Sequence, residues 1–416
     1  MWHRRERVVL RQAVILVGGK GSRLGALTAD TPKPMLAVGG RPFLDTLIET
    51  LSRHGIEEIV LSCGYRAEVI QQRYEKGDWG AAVRCVVEPE PAGTGGALRH
   101  AAHMLDSTFM LLNGDTLFDF NLIDLVTVEM RPGWLGTLAL RALPPGGRYG
   151  RIGLAGEKVT GFFSAKPTAL GPVNGGVYLL SREILAELDG DFCSLEMDVL
   201  PKLAASGRLS GRVYDGYFID IGVPDDFERA QTEVPTRRTR PAVFFDRDGV
   251  LNMDVGYAHR PDQITWVEGA REAVKAVNDR GWYAFVVTNQ AGVARGLYDE
   301  QAVMDLHSWM QRELMAIGAH IDRFEYCPHH PDAVIASYRN VSDRRKPGDG
   351  MLRDISEQFP IDRERSFLVG DQAHDVAAAD AFGIAGHLFP GGDLRKFLSE
   401  GGLLSGAVSE MDKNAR

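Results

Sequence analysis

Two stretches of the 416-residue chain carry side chains at spacings that suit phosphate chemistry. In Gln12 to Pro34, QAVILVGGKGSRLGALTADTPKP, Gly18, Gly19 and Gly21 are interleaved with Lys20, Ser22 and Arg23, and Lys33 follows downstream. Glycines let successive backbone N–H groups approach an anion, and the cations can neutralise a triphosphate. The pattern lacks the Gly-Lys-Ser/Thr ending of the ATPase loop, and its glycine spacing does not fit the dinucleotide fingerprint. In the second stretch, Asp246 and Asp248 stand two residues apart in FFDRDGV. On an extended chain both carboxylates project to one side and can face a single phosphate.

The flanking segments read as strands and helices that would deliver these groups. Ala13 to Val17 is an apolar run typical of a buried strand. Phe43 to His54 reads as an amphipathic helix, Glu58 to Cys63 as a strand, Glu68 to Tyr74 as a helix and Val83 to Glu88 as a strand, an alternation that marks an α/β sheet with helices on its faces. A second glycine-rich turn, with Gly93 and Thr94, then opens a further helix. The strand Thr108 to Leu112 ends in Asn113-Gly-Asp-Thr116, and FIDIGVPDDF places Asp220 in a similar setting. Carboxylates at the carboxyl ends of buried strands lie where α/β sheets place ligands, so Asp115 and Asp220 are candidate Mg²⁺ ligands. Glu233 to Arg240 is charged and without apolar periodicity, as suits a linker. Beyond it, Pro241 to Phe245, Trp282 to Val287 and Ser366 to Val369 read as buried strands. They end in Asp246, in Thr288-Asn289 and in Gly370-Asp371, bringing polar groups to one sheet edge, with Lys346 as a fourth element.

The length favours two domains. A hydrophobic fraction of 44% with 25% charged residues is that of a soluble globular protein, and no apolar run reaches membrane-spanning length. The net charge of −9 argues against a nucleic-acid partner. The four cysteines are widely spread and form no disulfide framework, which suits a reducing cytoplasm. The basic opening MWHRRERVVL runs straight into the glycine loop without a cleavage site, and reads as a lead into the first strand.

Gly-Gly-x-Gly-Ser-Arg-Leu followed by Pro-Lys-Pro-Met resembles the signature of the sugar-nucleotide pyrophosphorylases, and the likeness extends from Arg11 to Ala230. Gly-Thr-Gly-Gly-Ala, Leu-Asn-Gly-Asp-Thr, Asn-Gly-Gly-Val-Tyr-Leu-Leu, Ser-Leu-Glu and Tyr-Phe-Ile-Asp-Ile-Gly-Val-Pro are closest to the heptose 1-phosphate guanylyltransferases. The resemblance implies a Rossmann-like domain over 1–232 in which Gly18, Gly19, Gly21, Ser22, Gly93 and Thr94 bind the nucleotide and Arg23 and Lys33 act in catalysis. Asp115 and Asp220 would hold one Mg²⁺, and Lys166 and Asn174 would bind the sugar phosphate. Glu88 falls where a base edge is read. Its acceptor-only carboxylate suits the paired donors of guanine and hence GTP, or it is simply a solvated loop carboxylate. A Glu-Lys pair is usual in this family, and here Ala165 stands at the glutamate position.

Asp246-Arg-Asp-Gly-Val250, Thr288, Lys346 and Gly370-Asp371 resemble, in order, the four motifs of the haloacid dehalogenase phosphatases. The resemblance implies that Asp246 is the nucleophile and Asp248 the acid and base. Asp246, Asp371 and the backbone carbonyl of Asp248 would hold a second Mg²⁺, and Thr288 and Lys346 would hold the phosphoryl oxygens. Within that superfamily Gly256-Tyr-Ala-His259, Asn289-Gln-Ala-Gly-Val-Ala-Arg-Gly296, Cys327-Pro-His-His-Pro331 and Arg345-Lys-Pro347 look like the heptose 1,7-bisphosphate 7-phosphatases, with the histidinol phosphatases as near relatives. His259, Asn289, Arg295 and Arg345 are the implied substrate contacts, Arg295 because a guanidinium fork suits a second phosphate. The family's structural zinc uses Cys-x-His and a later Cys-x-Cys. Cys327 and His329 are present, but Ser342 and Arg344 replace the second pair, so no tightly held zinc is expected and packing or salt bridges would hold the loop.

The expected architecture is therefore α/β in two domains. A Rossmann-like nucleotidyltransferase with a mixed, mainly parallel sheet over 1–232 is followed by a linker over 233–240, a haloacid dehalogenase-like Rossmannoid phosphatase over 241–397, and a tail over 398–416. The expected chemistry is removal of the 7-phosphate from a heptose 1,7-bisphosphate and transfer of GMP from GTP to the resulting 1-phosphate. Two other readings stand beside it: a mannose 1-phosphate guanylyltransferase fused to a broad sugar or histidinol phosphatase, and a phosphatase regulated by a non-catalytic sugar-nucleotide sensor. Small molecules are the expected partners, with neither membrane nor nucleic acid, and a homo-oligomer is left open.

Overall fold

The computed structural model describes residues 10–128, 130, 133–145, 148–163 and 169–404. The chain divides between Arg237 and Arg238 into two compact units. No helix among the described residues is long and apolar enough to cross a membrane.

The first unit contains strands β1 (Gln12–Leu16), β2 (Ala37–Val38), β3 (Arg41–Pro42), β4 (Glu58–Cys63), β5 (Ala82–Val87), β6 (Thr108–Asn113), β7 (Thr116–Asp119), β8 (Gly136–Leu143), β9 (Arg151–Ala155), β10 (Lys158–Phe163), β11 (Gly171–Ser181), β12 (Leu209–Tyr214) and β13 (Tyr217–Asp220). Its helices are α1 (Phe43–Arg53), α2 (Ala67–Tyr74), α3 (Gly93–Ala101), α4 (Leu200–Ala205) and α5 (Pro224–Thr236). Nine strands form one sheet in the order β5-β4-β1-β6-β11-β8-β12-β10-β9. β1 lies parallel between β4 and β6, while β11 runs antiparallel to both β6 and β8. Val14, Val60, Leu111 and Leu138 are fully buried in its core, which is why these central strands read as unbroken apolar runs.

The linker expected over 233–240 is helical in its first half, because α5 continues to Thr236. Ala230 and Val234, one helical turn apart, are both buried, and Glu233 takes hydrogen bonds from Tyr217 (2.8 Å) and Arg229 (3.1 Å). A stripe this narrow is easily lost among charged neighbours.

The second unit contains β14 (Ala242–Phe245), β15 (Tyr283–Asn289), β16 (Arg323–Cys327), β17 (Phe367–Gly370) and β18 (Ala385–Leu388), and helices α6 (Ala270–Asn278), α7 (Ala291–Ala294), α8 (Glu300–Met315), α9 (Gly350–Gln358), α10 (Ala373–Phe382) and α11 (Leu394–Glu400). Its five strands are all parallel, in the order β16-β15-β14-β17-β18. Successive side chains of β14 enter opposite faces: Val243 and Phe245 join one core cluster, Ala242 and Phe244 the other. The carboxyl ends of β15, β14 and β17 therefore lie side by side, with Asp246 and Asp371 directly after two of them.

Candidate functional site

In the first unit, the loop leaving β1 is closed by a hydrogen bond from Thr28 Oγ1 to the Gly21 carbonyl (3.0 Å) and anchored by buried Leu24. Lys20, Ser22 and Arg23 are exposed on it. Lys33 ion-pairs with Asp115 in the turn between β6 and β7. The antiparallel pairing of β7 with β13 sets Asp220 opposite Thr116, so the two expected metal carboxylates come from neighbouring strand ends. Lys33 Nζ and Asp220 Oδ1 lie 2.9 and 2.7 Å from the point where a Cβ on Gly222 would stand. Arg148 pairs with Asp220 (3.0 Å) and Asp226 (2.7 Å), a role that nothing in the local pattern indicates. Both Asp115 and Asp220 offer hard oxygens, the donor set that suits Mg²⁺.

Glu88 lies at the end of β5 against the same loop. One carboxylate oxygen accepts from Ser62 Oγ (3.2 Å) and lies 3.1 Å from where a Cβ on Gly18 would stand, so Gly18 is what lets it approach. Burial pushes this carboxyl above its usual range, with Ser62 opposing. It is a half-buried acceptor rather than a solvated loop charge.

The second glycine turn differs from expectation. The Thr94 hydroxyl donates to Glu196 (2.8 Å) and accepts from the Leu195 N–H (2.8 Å), so it is committed to holding the chain at 194–196 rather than left for a nucleotide. Asn174 is likewise engaged, donating to Tyr178 Oη (2.7 Å) and accepting from the Gly176 N–H (3.1 Å). Lys166 and Ala165 lie outside the described residues.

In the second unit, Lys346 is 2% exposed, and its ammonium sits 2.9 Å from Asp246, 2.6 Å from Asp375 and 2.8 Å from the Val287 carbonyl. Burial pushes the Asp246 carboxyl up and Lys346 opposes this. Asp246, His374 and Asp375 have donor atoms within 4.8 Å of one another, yet the cation between two of them is the lysine. The expected Mg²⁺ set of Asp246, Asp371 and the Asp248 carbonyl offers oxygens alone, as that ion prefers, and differs from this cluster. Gly249, at φ 86°, makes room for Asp371: a Cβ there would be 2.2 Å from its Oδ2.

Asp248 is held on several sides. Arg247, fully buried, gives its carboxylate bonds of 2.8, 3.0 and 3.2 Å, Asn252 adds one of 2.9 Å and Gln290 one of 3.0 Å. A buried arginine between two acidic residues has no sequence signature, because it reads as a surface charge. Gln290 also donates to Thr288 (3.0 Å), at the end of β15. Asn289 does not face outward as a substrate contact: its side chain exchanges two 3.1 Å bonds with the Lys346 backbone and so holds that lysine in place.

Around this centre, Arg295 lies over the Tyr257 ring (5.5 Å) and His259 stacks on Tyr298 (4.7 Å). Arg345 has a buried Nη1 without a hydrogen-bond partner among the described residues. Burial pulls its guanidinium down and the charge of Arg295 adds to this, an arrangement that favours an anion. Cys327 and His329 supply two zinc donors where a closed site needs four. Arg344 instead bonds Glu325 (2.6 Å) and the Tyr326 carbonyl (3.2 Å) and ion-pairs with Asp354, tying the loop to β16 and α9.

Residues 12–237 match the nucleotidyl transferase family model, and residues 343–397 match the HAD-hydrolase-like model. The D-glycero-alpha-D-manno-heptose 1-phosphate guanylyltransferase of Aneurinibacillus thermoaerophilus is 35% identical over 225 residues, 54% of this chain and 98% of that protein. The enzyme of the same name from Campylobacter jejuni is 35% identical over 221 residues, 52% of this chain and 96% of that one. The D-glycero-beta-D-manno-heptose-1,7-bisphosphate 7-phosphatase of Rhodopseudomonas palustris is 44% identical over 161 residues, 39% of this chain and 89% of that protein.

Proposed function

The chain belongs to the nucleotidyl transferase family, with a HAD-hydrolase-like unit following in the same chain, and from that premise we propose that it carries out two successive steps of GDP-heptose synthesis. The second unit removes the 7-phosphate of D-glycero-D-manno-heptose 1,7-bisphosphate, and the first joins the resulting 1-phosphate to GMP from GTP, releasing pyrophosphate. The observation that carries this is the presence of both sites in one chain whose relatives are named for reactions on consecutive compounds.

In the phosphatase step, the Asp246 carboxylate attacks the phosphorus of the 7-phosphate while Asp248 gives a proton to the departing sugar oxygen. Asp248 then takes a proton from the water that hydrolyses the aspartyl phosphate. Thr288 and Lys346 hold the phosphoryl oxygens, and Arg295, Arg345 and His259 hold the far end of the substrate. Mg²⁺ on Asp246, Asp371 and the Asp248 carbonyl, and on Asp115 and Asp220 in the first unit, supplies charge neutralisation when bound.

In the transferase step, an oxygen of the sugar 1-phosphate attacks the α-phosphorus in line. No protein nucleophile is required. Backbone N–H groups at Gly18, Gly19, Gly21 and Ser22 cradle the phosphates, and Arg23 and Lys33 stabilise the spreading charge. Glu88 accepts from the N1–H and N2–H of guanine. GTP and four free cysteines fit a reducing cytoplasm.

Phosphatase chemistry at C7 leaves the anomeric centre untouched, so both steps must use one anomer. The α form fits the transferase relatives, although the phosphatase relatives are named for the β form. The protein is incubated with each anomer of the bisphosphate, Mg²⁺ and each NTP in turn, and nucleotide sugars are read by mass spectrometry. GDP-heptose forms from the α anomer with GTP, and Asp246→Asn abolishes it unless heptose 1-phosphate is supplied. Phosphate release without any nucleotide sugar would refute the transferase assignment.

A further inference from the structure

We propose that Glu196 reads a sugar hydroxyl in the transferase site and so helps to decide which sugar 1-phosphate is taken; this rests on the transferase reading above. Glu196 lies in the π-type turn Leu195–Val199, whose entry is capped by Ser194 Oγ accepting from the Met197 N–H (3.2 Å). Such turns break helical spacing to aim a side chain, often at a functional site.

All the partners of the Glu196 carboxylate among the described residues are hydroxyls. Oε2 accepts from Thr94 (2.8 Å) and Ser194 (3.4 Å), and Oε1 only from Tyr178 (3.4 Å). An ionised carboxylate has about four acceptor positions, so Oε1 keeps unused capacity for a donor. Thr94, Ser194 and Tyr178 fix the group without neutralising it, which is an arrangement for accepting from a ligand hydroxyl.

The same network leads to the rest of the site. Tyr178 Oη also receives the Asn174 amide (2.7 Å), beside the break in strand register between Asn174 and Val177 of β11. At that break Gly176 comes close to Asn113, two residues before Asp115: a Cβ on Gly176 would be 3.1 Å from Asn113 Nδ2. Burial above all, and then the charges of Glu196 and Asp115, keep the Tyr178 phenol protonated and therefore able to donate. Thr94 ties Glu196 in turn to the start of α3, just beyond Glu88. A sugar whose 1-phosphate lies by Asp115 and Asp220 thus has Glu196 as a neighbouring acceptor, while Asn174 is committed to Tyr178 and Gly176.

The test uses the full chain with heptose 1-phosphate supplied directly, which bypasses the phosphatase. Kinetics of Glu196→Ala, Glu196→Gln and the wild type are compared for heptose 1-phosphate and its monodeoxy analogues. Glu196→Ala raises KM for the sugar phosphate about 10- to 100-fold, the range for one hydrogen bond to a charged group, while KM for GTP stays within about twofold. One monodeoxy analogue suffers the same loss with the wild type, and no additional loss with Glu196→Ala. Thr94→Val, which loosens the carboxylate, gives a smaller shift of the same kind. Equal discrimination among the analogues by wild type and Glu196→Ala would overturn the proposal. So would a rise in KM for GTP accompanied by a lower melting temperature, the signature of a merely structural role. A wild type that makes no GDP-sugar would overturn the transferase reading itself.

Discussion

Replacing Lys346 by methionine removes the cation that lies between buried Asp246 and Asp375. At 2.6 and 2.9 Å, each attraction is about 6 kcal/mol at an effective dielectric of about 20. Desolvation of the three groups takes back much of that, but methionine leaves Asp246 and Asp375 facing each other without compensation. Breaking a buried pair in this way costs about 3–5 kcal/mol. Hydrogen exchange followed by mass spectrometry on peptides covering β14, β15 and α10 reads the second unit separately. Lys346→Met raises the opening equilibrium there roughly 10²- to 10⁴-fold and abolishes phosphate release, while GMP transfer to supplied heptose 1-phosphate persists. Adding Asp375→Asn to Lys346→Met removes one stranded charge, so the double variant is more stable than the sum of the two single losses predicts. A single-variant effect below tenfold, or strictly additive effects, would refute the view that the lysine stabilises the site by holding these charges together.

Two further outcomes follow from individual side chains. Glu88→Gln lowers kcat/KM for GTP about 10- to 100-fold and relaxes selection against the other NTPs. Because burial raises the Glu88 pKa, its charge is lost on acidification sooner than that of an ordinary carboxylate. Wild-type KM for GTP therefore rises on acidification, beginning at a higher pH than an ordinary carboxylate would produce, and Glu88→Gln loses that dependence; a parallel profile in the two proteins would sink the assignment. Arg344→Ala costs the second unit about 1–2 kcal/mol, between the ranges for exposed and buried pairs because its partner Glu325 is buried while Arg344 itself is partly exposed. Chelator treatment followed by Mg²⁺ leaves the phosphatase rate unchanged, and metal analysis that finds stoichiometric zinc would contradict the Arg344 clasp.

The strand ends were legible because the apolar runs stop at polar residues or glycine, such as Gly18, Asn113, Asp246, Thr288 and Gly370, and local composition is enough to mark such a boundary. Asp246, Asp371 and Asp115 could be placed on that basis alone. What stayed hidden are pairings across long stretches of chain. Lys33 meets Asp115 and Thr94 meets Glu196, and no local pattern reports either. Thr94 and Asn289 have the right types for ligand contacts, yet their hydrogen-bonding groups are engaged within the protein. Residue type states what a group is able to do, and only the fold states whether it is free to do it. Arg247 is the reverse case, a residue to which the sequence assigns no role and which the fold buries and sets against Asp248.

A phosphatase that feeds a transferase using 1-phosphates must spare the 1-phosphate. Both ends of a heptose bisphosphate are phosphate monoesters, so attack by Asp246 is not in itself selective. Selection has to come from where the other end of the substrate is held. Arg345 offers a buried Nη1 without a protein partner, and Arg295 stands close enough for its charge to be felt there. On the proposed reading, this pair binds the 1-phosphate as the 7-phosphate reaches Asp246, because an anion there relieves the repulsion between two guanidinium groups. Once the 7-phosphate is gone, the remaining phosphate is best satisfied at the arginines, away from the nucleophile. The product then leaves intact, as the substrate the first unit requires. Joining the units in one chain keeps the two activities equal in number, and regioselectivity in the second unit is what makes that equality useful to the first.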